Sequence, residues 1–351
     1  MAGRLGLLAW VIFILSASAI VNNNSVLLQA AALTNDIGAN YHIHNSTGAS
    51  GNLSKVFEIL VKCGGIRNMR VFSDEINAPY LDYYGASTGI ALTVSISNSD
   101  VQRFAASFED LTKWHQDVLY SLHITFDVKY ITVGNEAIPG PSTDDVLTVM
   151  KSVQLLNNYS SFGDIKVTTS VGSSVLGDWY LPSSGEFKPN ASRAMTDILG
   201  FLSASQAPLM INVYPYYAYA ADPANVPLDY ALLNATYPMV HDGSLEYSNL
   251  FDAMVDSFYS AMEKVDYSDV SIVVSESGWP RDGNYNFTTP ELAATYNRNF
   301  LLRISSKVGT PKRPGASVKG YIYELFDGKS PHFGLFDETF EPIYPLFQCS
   351  F

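Results

Sequence analysis

The amino-acid sequence predicts an α/β protein built as a closed (β/α)8 TIM barrel, with a small subdomain in the loop after the sixth strand. Three observations carry this. From residue 37 onward, short apolar runs alternate with amphipathic stretches of helical period, the pattern of a parallel sheet covered by helices. Eight such runs can be read along the chain. Two of them end in glutamate, at the strand ends where barrels of this kind carry their working groups. No Gly-x-Gly-x-x-Gly run follows the first strand, which removes the main signal for an open, doubly wound sheet, although periodicity alone does not separate the two forms.

In order, the predicted strands are Ile37–Tyr41, Asn68–Phe72, Ile90–Ser95, Tyr130–Gly134, Lys166–Ser170, Leu209–Val213, Ser271–Ser275 and Gly320–Leu325. Each is rich in β-branched or aromatic residues and too short for a helix. Helical periodicity is clearest in Val101–Leu119, Val146–Asn157, Ala194–Leu202, Leu250–Val265 and Leu292–Val308. The last has Thr289 placed to cap its start and Pro290 at the first helical position. The stretch 214–248, rich in Tyr, Pro and Asn, is too long for an ordinary connection and predicts the subdomain. With no low-complexity linker and no short-period repeat, residues 33–351 read as one barrel domain.

The N-terminus has Arg4, an apolar run from Leu5 to Leu15, and the small residues Ser16 to Ala19, the order of a secretory signal peptide over residues 1–19. A second small-residue site at Ala30–Ala32 would place cleavage as late as residue 32. The apolar run falls short of the ~20 residues of a membrane span. A secreted protein of the extracellular space or cell wall is expected, and sequons at Asn23, Asn45, Asn52, Asn158, Asn190, Asn234 and Asn286 predict a glycoprotein. The C-terminus lacks the apolar tail of a lipid-anchored form, so a soluble protein without a membrane anchor is expected, and separately a monomer. Cys63 and Cys349 are the two cysteines, and the sequence leaves their pairing open.

A balance of 21 Lys and Arg against 34 Asp and Glu, net −13, argues against a nucleic-acid partner and fits a neutral ligand. No cofactor and no metal is expected. The six histidines show no His-Glu-x-x-His spacing, His42 and His44 have no visible third ligand, and no Gly-x-Ser-x-Gly elbow appears.

The two glutamates are Glu136, in Val133-Gly134-Asn135-Glu136, and Glu276, in Val273-Val274-Ser275-Glu276. They end the fourth and seventh strands, which would face each other across the barrel mouth. A single buried glutamate is as readily satisfied by a neighbouring arginine or by backbone N–H groups as by a function. Two carboxylates across a cleft are what glycoside hydrolysis requires, one protonated to serve the leaving oxygen and one ionised to attack the anomeric carbon. Like-charge repulsion and partial burial would keep Glu136 protonated near neutral or mildly acidic pH. Asn135 could hold a sugar 2-hydroxyl, and Trp279, Tyr214, Tyr216, Tyr217 and Phe333 could stack on sugar faces, although core packing is at least as common for each ring taken alone.

Several motifs extend this pattern: Gly134-Asn135-Glu136, Asn212-Val213-Tyr214-Pro215-Tyr216, the helix beginning Asn249-Leu250-Phe251-Asp252, Val274-Ser275-Glu276-Ser277-Gly278-Trp279-Pro280, Gly309-Thr310-Pro311-Lys312-Arg313-Pro314-Gly315, and Phe333-Gly334-Leu335-Phe336. In this order the chain resembles the plant endo-β-1,3-glucanases of glycoside hydrolase family 17. The resemblance implies a (β/α)8 barrel and a retaining mechanism on 1,3-β-glucan, with Glu136 as proton donor and Glu276 as nucleophile, their carboxyl groups about 5–5.5 Å apart. It carries over Tyr41, Asn135, Tyr214, Trp279, Phe333 and Lys329 as substrate-binding groups. The chain departs from the family pattern where His42 stands in place of a glycine after Asn40-Tyr41, and where Gly328 stands in place of an auxiliary glutamate after the eighth strand. Glu324, inside that strand, has no counterpart in the pattern. These departures keep a second reading open, a glucan-binding protein on the same barrel with weakened turnover, beside a variant acting on mixed 1,3;1,4-linkages or transferring glycosyl units.

Overall fold

The alternation of strands and helices folds into the predicted barrel. The computed structural model describes residues 36–42, 53–63, 66–72, 89–160, 162–177, 181–328 and 330–346. Its strands are β1 (Ile37–Asn40), β2 (Asn68–Phe72), β3 (Ala91–Ile96), β4 (Asp127–Asn135), β5 (Lys166–Val171), β6 (Leu209–Asn212), β7 (Val240–Asp242), β8 (Leu245–Tyr247), β9 (Ile272–Ser277) and β10 (Lys319–Ile322). Eight of them close in the order β1-β10-β9-β6-β5-β4-β3-β2, and every neighbouring pair is parallel. The expected signal peptide, the sequons at Asn23, Asn45 and Asn52, Cys349 and Lys329 lie outside the described residues. The sequon asparagines that are described, Asn158, Asn190, Asn234 and Asn286, are all exposed.

Strand alternation divides the side chains into two sets. Along β2, Met69 and Val71 join the main core between sheet and helices, while Arg70 turns into the barrel. Met210, Val273 and Tyr321 form a separate apolar cluster with Tyr130, and the Tyr321 hydroxyl is 2.8 Å from Thr93 Oγ1. Ser95 and Thr132 hydrogen-bond beyond it, so the barrel interior is apolar low down and polar toward the mouth. Three register shifts fall near the C-terminal strand ends, between Thr132 and Asn135, between Ile211 and Asn212, and between Gly320 and Ile322. Such bulges re-aim the residues that follow them, and here those include Asn135, Asn212 and Glu276.

The 214–248 segment forms the expected subdomain: helices Pro215–Ala221 and Leu228–Ala231, then the antiparallel β7–β8 hairpin. The helix at Pro290–Ser305 starts as its sequence indicates, with Thr289 accepting from Leu292 N–H. The long helix expected over Val101–Leu119 is instead broken. Asn98–Ala106 ends at Ser107, whose backbone is extended (φ −139°, ψ 102°), and Ser107 Oγ accepts from Asp110 N–H to start Phe108–Trp114. A serine hydroxyl that can cap a new helix competes with continuing the old one, and apolar periodicity does not register the break. The eighth strand is also shorter than expected. It stops at Ile322, and Tyr323 N–H turns to Ser277 while Leu325 N–H turns to Asn40.

Candidate active site

A buried cation organises the barrel mouth. Arg70 is 0% exposed, and Arg70 Nη1 lies 2.6 Å from Glu276 Oε1, itself on a residue 5% exposed. The same guanidinium donates to Ser95 Oγ at 2.8 Å, to Asn40 Oδ1 at 3.3 Å and to Asn135 Oδ1 at 3.2 Å. A buried arginine is tolerable only with an anion and enough acceptors to engage its fork of donors. Glu276 also accepts from Asn135 Nδ2 at 3.0 Å and, on its other oxygen, from the Tyr214 hydroxyl at 2.8 Å. Its hydrogen-bond partners are all donors, the surroundings of an accepting carboxylate. Burial and the neighbouring Glu276 charge push the Tyr214 phenol well above its ordinary value, so it keeps the proton that it donates.

Glu136 is set differently. The chain turns at the end of β4 through Gly134 (φ +75°) and Glu136 (φ +52°). At Gly134 a Cβ would also lie 3.0 Å from that of Ala137, a tight contact that adds to the left-handed backbone in favouring glycine. The left-handed turn brings Glu136 Oε1 to 2.7 Å from Asn212 Nδ2, and a Cβ on Gly172 would sit 2.7 Å from the Glu136 carboxyl carbon. Although Glu136 is open to solvent on one side, burial of its carboxyl pushes the pKa up; the Asn212 hydrogen bond opposes this, the Glu276 charge adds to it and Arg70 opposes it.

Two asparagines link the carboxylates. Asn212 Oδ1 accepts from Ser275 Oγ at 2.7 Å and Ser170 Oγ at 3.0 Å, which turns its NH2 toward Glu136 and Asn135. Asn135 Oδ1 accepts from Arg70 and Asn212, so its own NH2 meets Glu276. Asn98 fixes the Asn135 backbone from both sides, accepting its N–H at 2.8 Å and donating to its carbonyl at 2.9 Å. β4 and β9 stand three places apart around the barrel on the side of β5 and β6, and Asn212 on β6 bridges the gap.

A cleft of about 510 Å³ opens here, lined by Asn135, Glu136, Asn212, Tyr214, Tyr217, Glu276 and Tyr323 among others. Of the groups expected to meet substrate, Asn135 and Tyr214 line it. Tyr41, Trp279 and Phe333 do not: all three are buried. Tyr41 packs edge-on against Phe326. Trp279 lies among Tyr216, Tyr219 and Tyr296, its Nε1 donating to the Phe287 carbonyl at 2.9 Å. Phe333 backs Tyr214, Tyr216 and Tyr323. Motif spacing places a ring on a strand-end loop but does not say which side of that loop the core takes. Tyr217 and Tyr323 line the cleft instead, Tyr217 exposed and Tyr323 partly buried. Arg70 escaped the sequence reading, although an arginine between Met69 and Val71 in an apolar strand is a visible signal.

Replacing Tyr214 with phenylalanine removes a hydrogen bond of about 1.5–3 kcal/mol to a charged group. If Glu276 reacts with substrate, the Y214F rate constant should fall roughly 10- to 100-fold, and an unchanged kcat on a glucan substrate would show that the contact is idle.

Residues 37–347 match the model of glycosyl hydrolases family 17. The chain is 40% identical over 334 residues to the probable glucan endo-1,3-beta-glucosidase BG4 of Arabidopsis thaliana, covering 93% of this chain and 94% of that protein. It is 41% identical over 272 residues to the basic isoform 1 of glucan endo-1,3-beta-glucosidase from Solanum tuberosum, covering 74% and 79%. Among solved structures it is similar to CJP38, a beta-1,3-glucanase and allergen of Cryptomeria japonica pollen, with a TM-score of 0.82 at 36% identity over 88% of this chain and 98% of that one. A plant beta-glucan endohydrolase gives 0.78 at 34% identity, over 88% and 99%. The family match spans the whole described barrel, both carboxylates included, and the chain belongs to glycosyl hydrolases family 17.

Proposed function

We infer that the protein is a secreted, retaining endo-1,3-β-glucanase that cleaves internal 1,3-β-D-glucosidic linkages of β-glucans in the cell wall or extracellular space. The observation that carries this is the unequal setting of the two carboxylates in one cleft, Glu276 among donors and a cation and Glu136 pushed toward its protonated form. The names of the relatives supply the linkage.

In the first step a Glu276 carboxylate oxygen attacks the anomeric carbon as the glycosidic C–O bond breaks, and Glu136 gives its proton to the departing oxygen. In the second, Glu136 takes a proton from water, whose oxygen attacks the same carbon and releases Glu276. Asn135, donating to Glu276 and open to the cleft, is positioned for the 2-hydroxyl of the reacting sugar.

The donor form of Glu136 is complete below its pKa and is lost as pH rises through it. Because that value is raised, the alkaline limb of kcat should lie above the ordinary glutamate range. A pH–rate profile on laminarin checks this, and a limb at or below pH ~4.3 would remove Glu136 from the role. Reducing-end release from laminarin tests the activity itself, with the β-anomer expected first by NMR. Glucan binding without release would overturn the hydrolase reading, and the α-anomer first would overturn retention.

A further inference from the structure

Two residues set apart from the family pattern, His42 and Glu324, flank Tyr323 and are close enough for the charge of one to act on the other. Tyr323 N–H is bound to Ser277 on β9 and Leu325 N–H to Asn40 on β1, which holds Glu324 inside the seam between them. Glu324 is 1% exposed. One of its oxygens accepts from Gly328 N–H at 3.1 Å, and the other, Oε2, has no hydrogen-bond partner among the described residues. His42 follows β1 on the same seam. Its ring stacks on Phe72 (centroids 4.3 Å, planes at 12°) and meets the edge of Tyr323 at 5.9 Å. Tyr323 lines the cleft, so the pair stands directly behind a cleft wall.

A buried carboxyl left half-satisfied costs stability. We propose that Glu324, faced by His42, is a positioning residue of the hydrolytic site, a carboxyl behind Tyr323 whose charge acts on the reacting groups without touching the glucan. This rests on the glucanase reading above. The groups facing it are His42 from the end of β1, Glu276 from β9 and Asp327 on its own loop, the last engaged by Arg281 at 3.0 and 2.5 Å. Burial pushes Glu324 up to about 7; the His42 charge and the Gly328 N–H oppose the rise, and Asp327 and Glu276 add to it.

The sign of its effect follows. Well below pH 7 Glu324 is neutral and adds nothing to the field at Glu276. Above it, the carboxylate adds a negative charge, which attracts the positive charge that develops on the sugar and favours the protonated form of the donor. Both effects support turnover on the alkaline side.

The test compares wild type with E324Q, whose neutral amide mimics the protonated acid and can still accept from Gly328 N–H. At pH 5 the two are expected to agree closely in kcat/KM on laminarin. By pH 8 the ratio of wild type to variant should rise roughly three- to fivefold, the order expected of one added charge acting through partly solvated protein. The imidazole titration of His42, followed by NMR, should move lower in E324Q, since it loses a facing carboxylate. Should E324Q not fold, H42Q removes the charge that opposes the rise of Glu324, so the gain that the ionised carboxylate gives should set in at higher pH than in wild type. A pH-independent ratio in an active enzyme overturns the proposal. So does an unmoved His42 titration, which needs no turnover and therefore decides the matter even where laminarin is not hydrolysed and the glucanase reading has failed.

Discussion

E276Q is expected to lower laminarin turnover by on the order of 10⁴-fold or more, the scale seen when a group that forms the covalent intermediate is removed. The amide is nearly isosteric, its oxygen can still accept from Arg70 and Asn135, and its NH2 can donate to the Tyr214 oxygen. The fold and the cleft should therefore survive, and so should binding of a short 1,3-β-glucan oligosaccharide. Calorimetric binding beside a reducing-sugar assay separates the two. A variant that turns over at near-normal rates would remove Glu276 from the nucleophile's role.

The second large effect is at Arg70. R70M leaves Glu276 buried among neutral donors and strands the acceptors on Asn40, Ser95 and Asn135. Breaking a buried pair by removing one partner costs about 3–5 kcal/mol, so a large drop in the denaturant midpoint is expected, together with loss of activity. R70K is the informative companion. A lysine keeps the charge but cannot fork to four oxygens, so it should recover more of the stability than of the rate. Equal midpoints for wild type and R70M would show that the cation is dispensable to the fold.

The barrel was legible because period-2 apolar runs and period-3.6 stretches are set by burial, and burial dominates the packing of sheet on helix. Thr289 and Pro290 marked a helix start for the same local reason that they make one. Glu136 and Glu276 were legible as strand-end carboxylates, and their meeting through Asn212 follows from strand order and three bulges that no one-dimensional pattern shows. Tyr41 and Trp279 show the converse. Their rings lie near the mouth in sequence but are drawn inward, Trp279 by a hydrogen bond to Phe287 eight residues on. The single arginine within β2 needed the structure to reveal its target, because Arg70 and Glu276 are 206 residues apart. Ser107 ended a helix by a hydroxyl bond that hydrophobic periodicity cannot register.

The asparagine bridge between the carboxylates has a kinetic meaning as well. Asn135 and Asn212 tie Glu276 to Glu136 through amide N–H groups, and each amide oxygen is already occupied by two donors. An amide nitrogen holds its protons tightly, so this chain transmits position while insulating the two acids from each other. A proton on Glu136 has no wire to Glu276 through Asn212 and Asn135. Its open exit is the cleft, where the leaving oxygen would arrive.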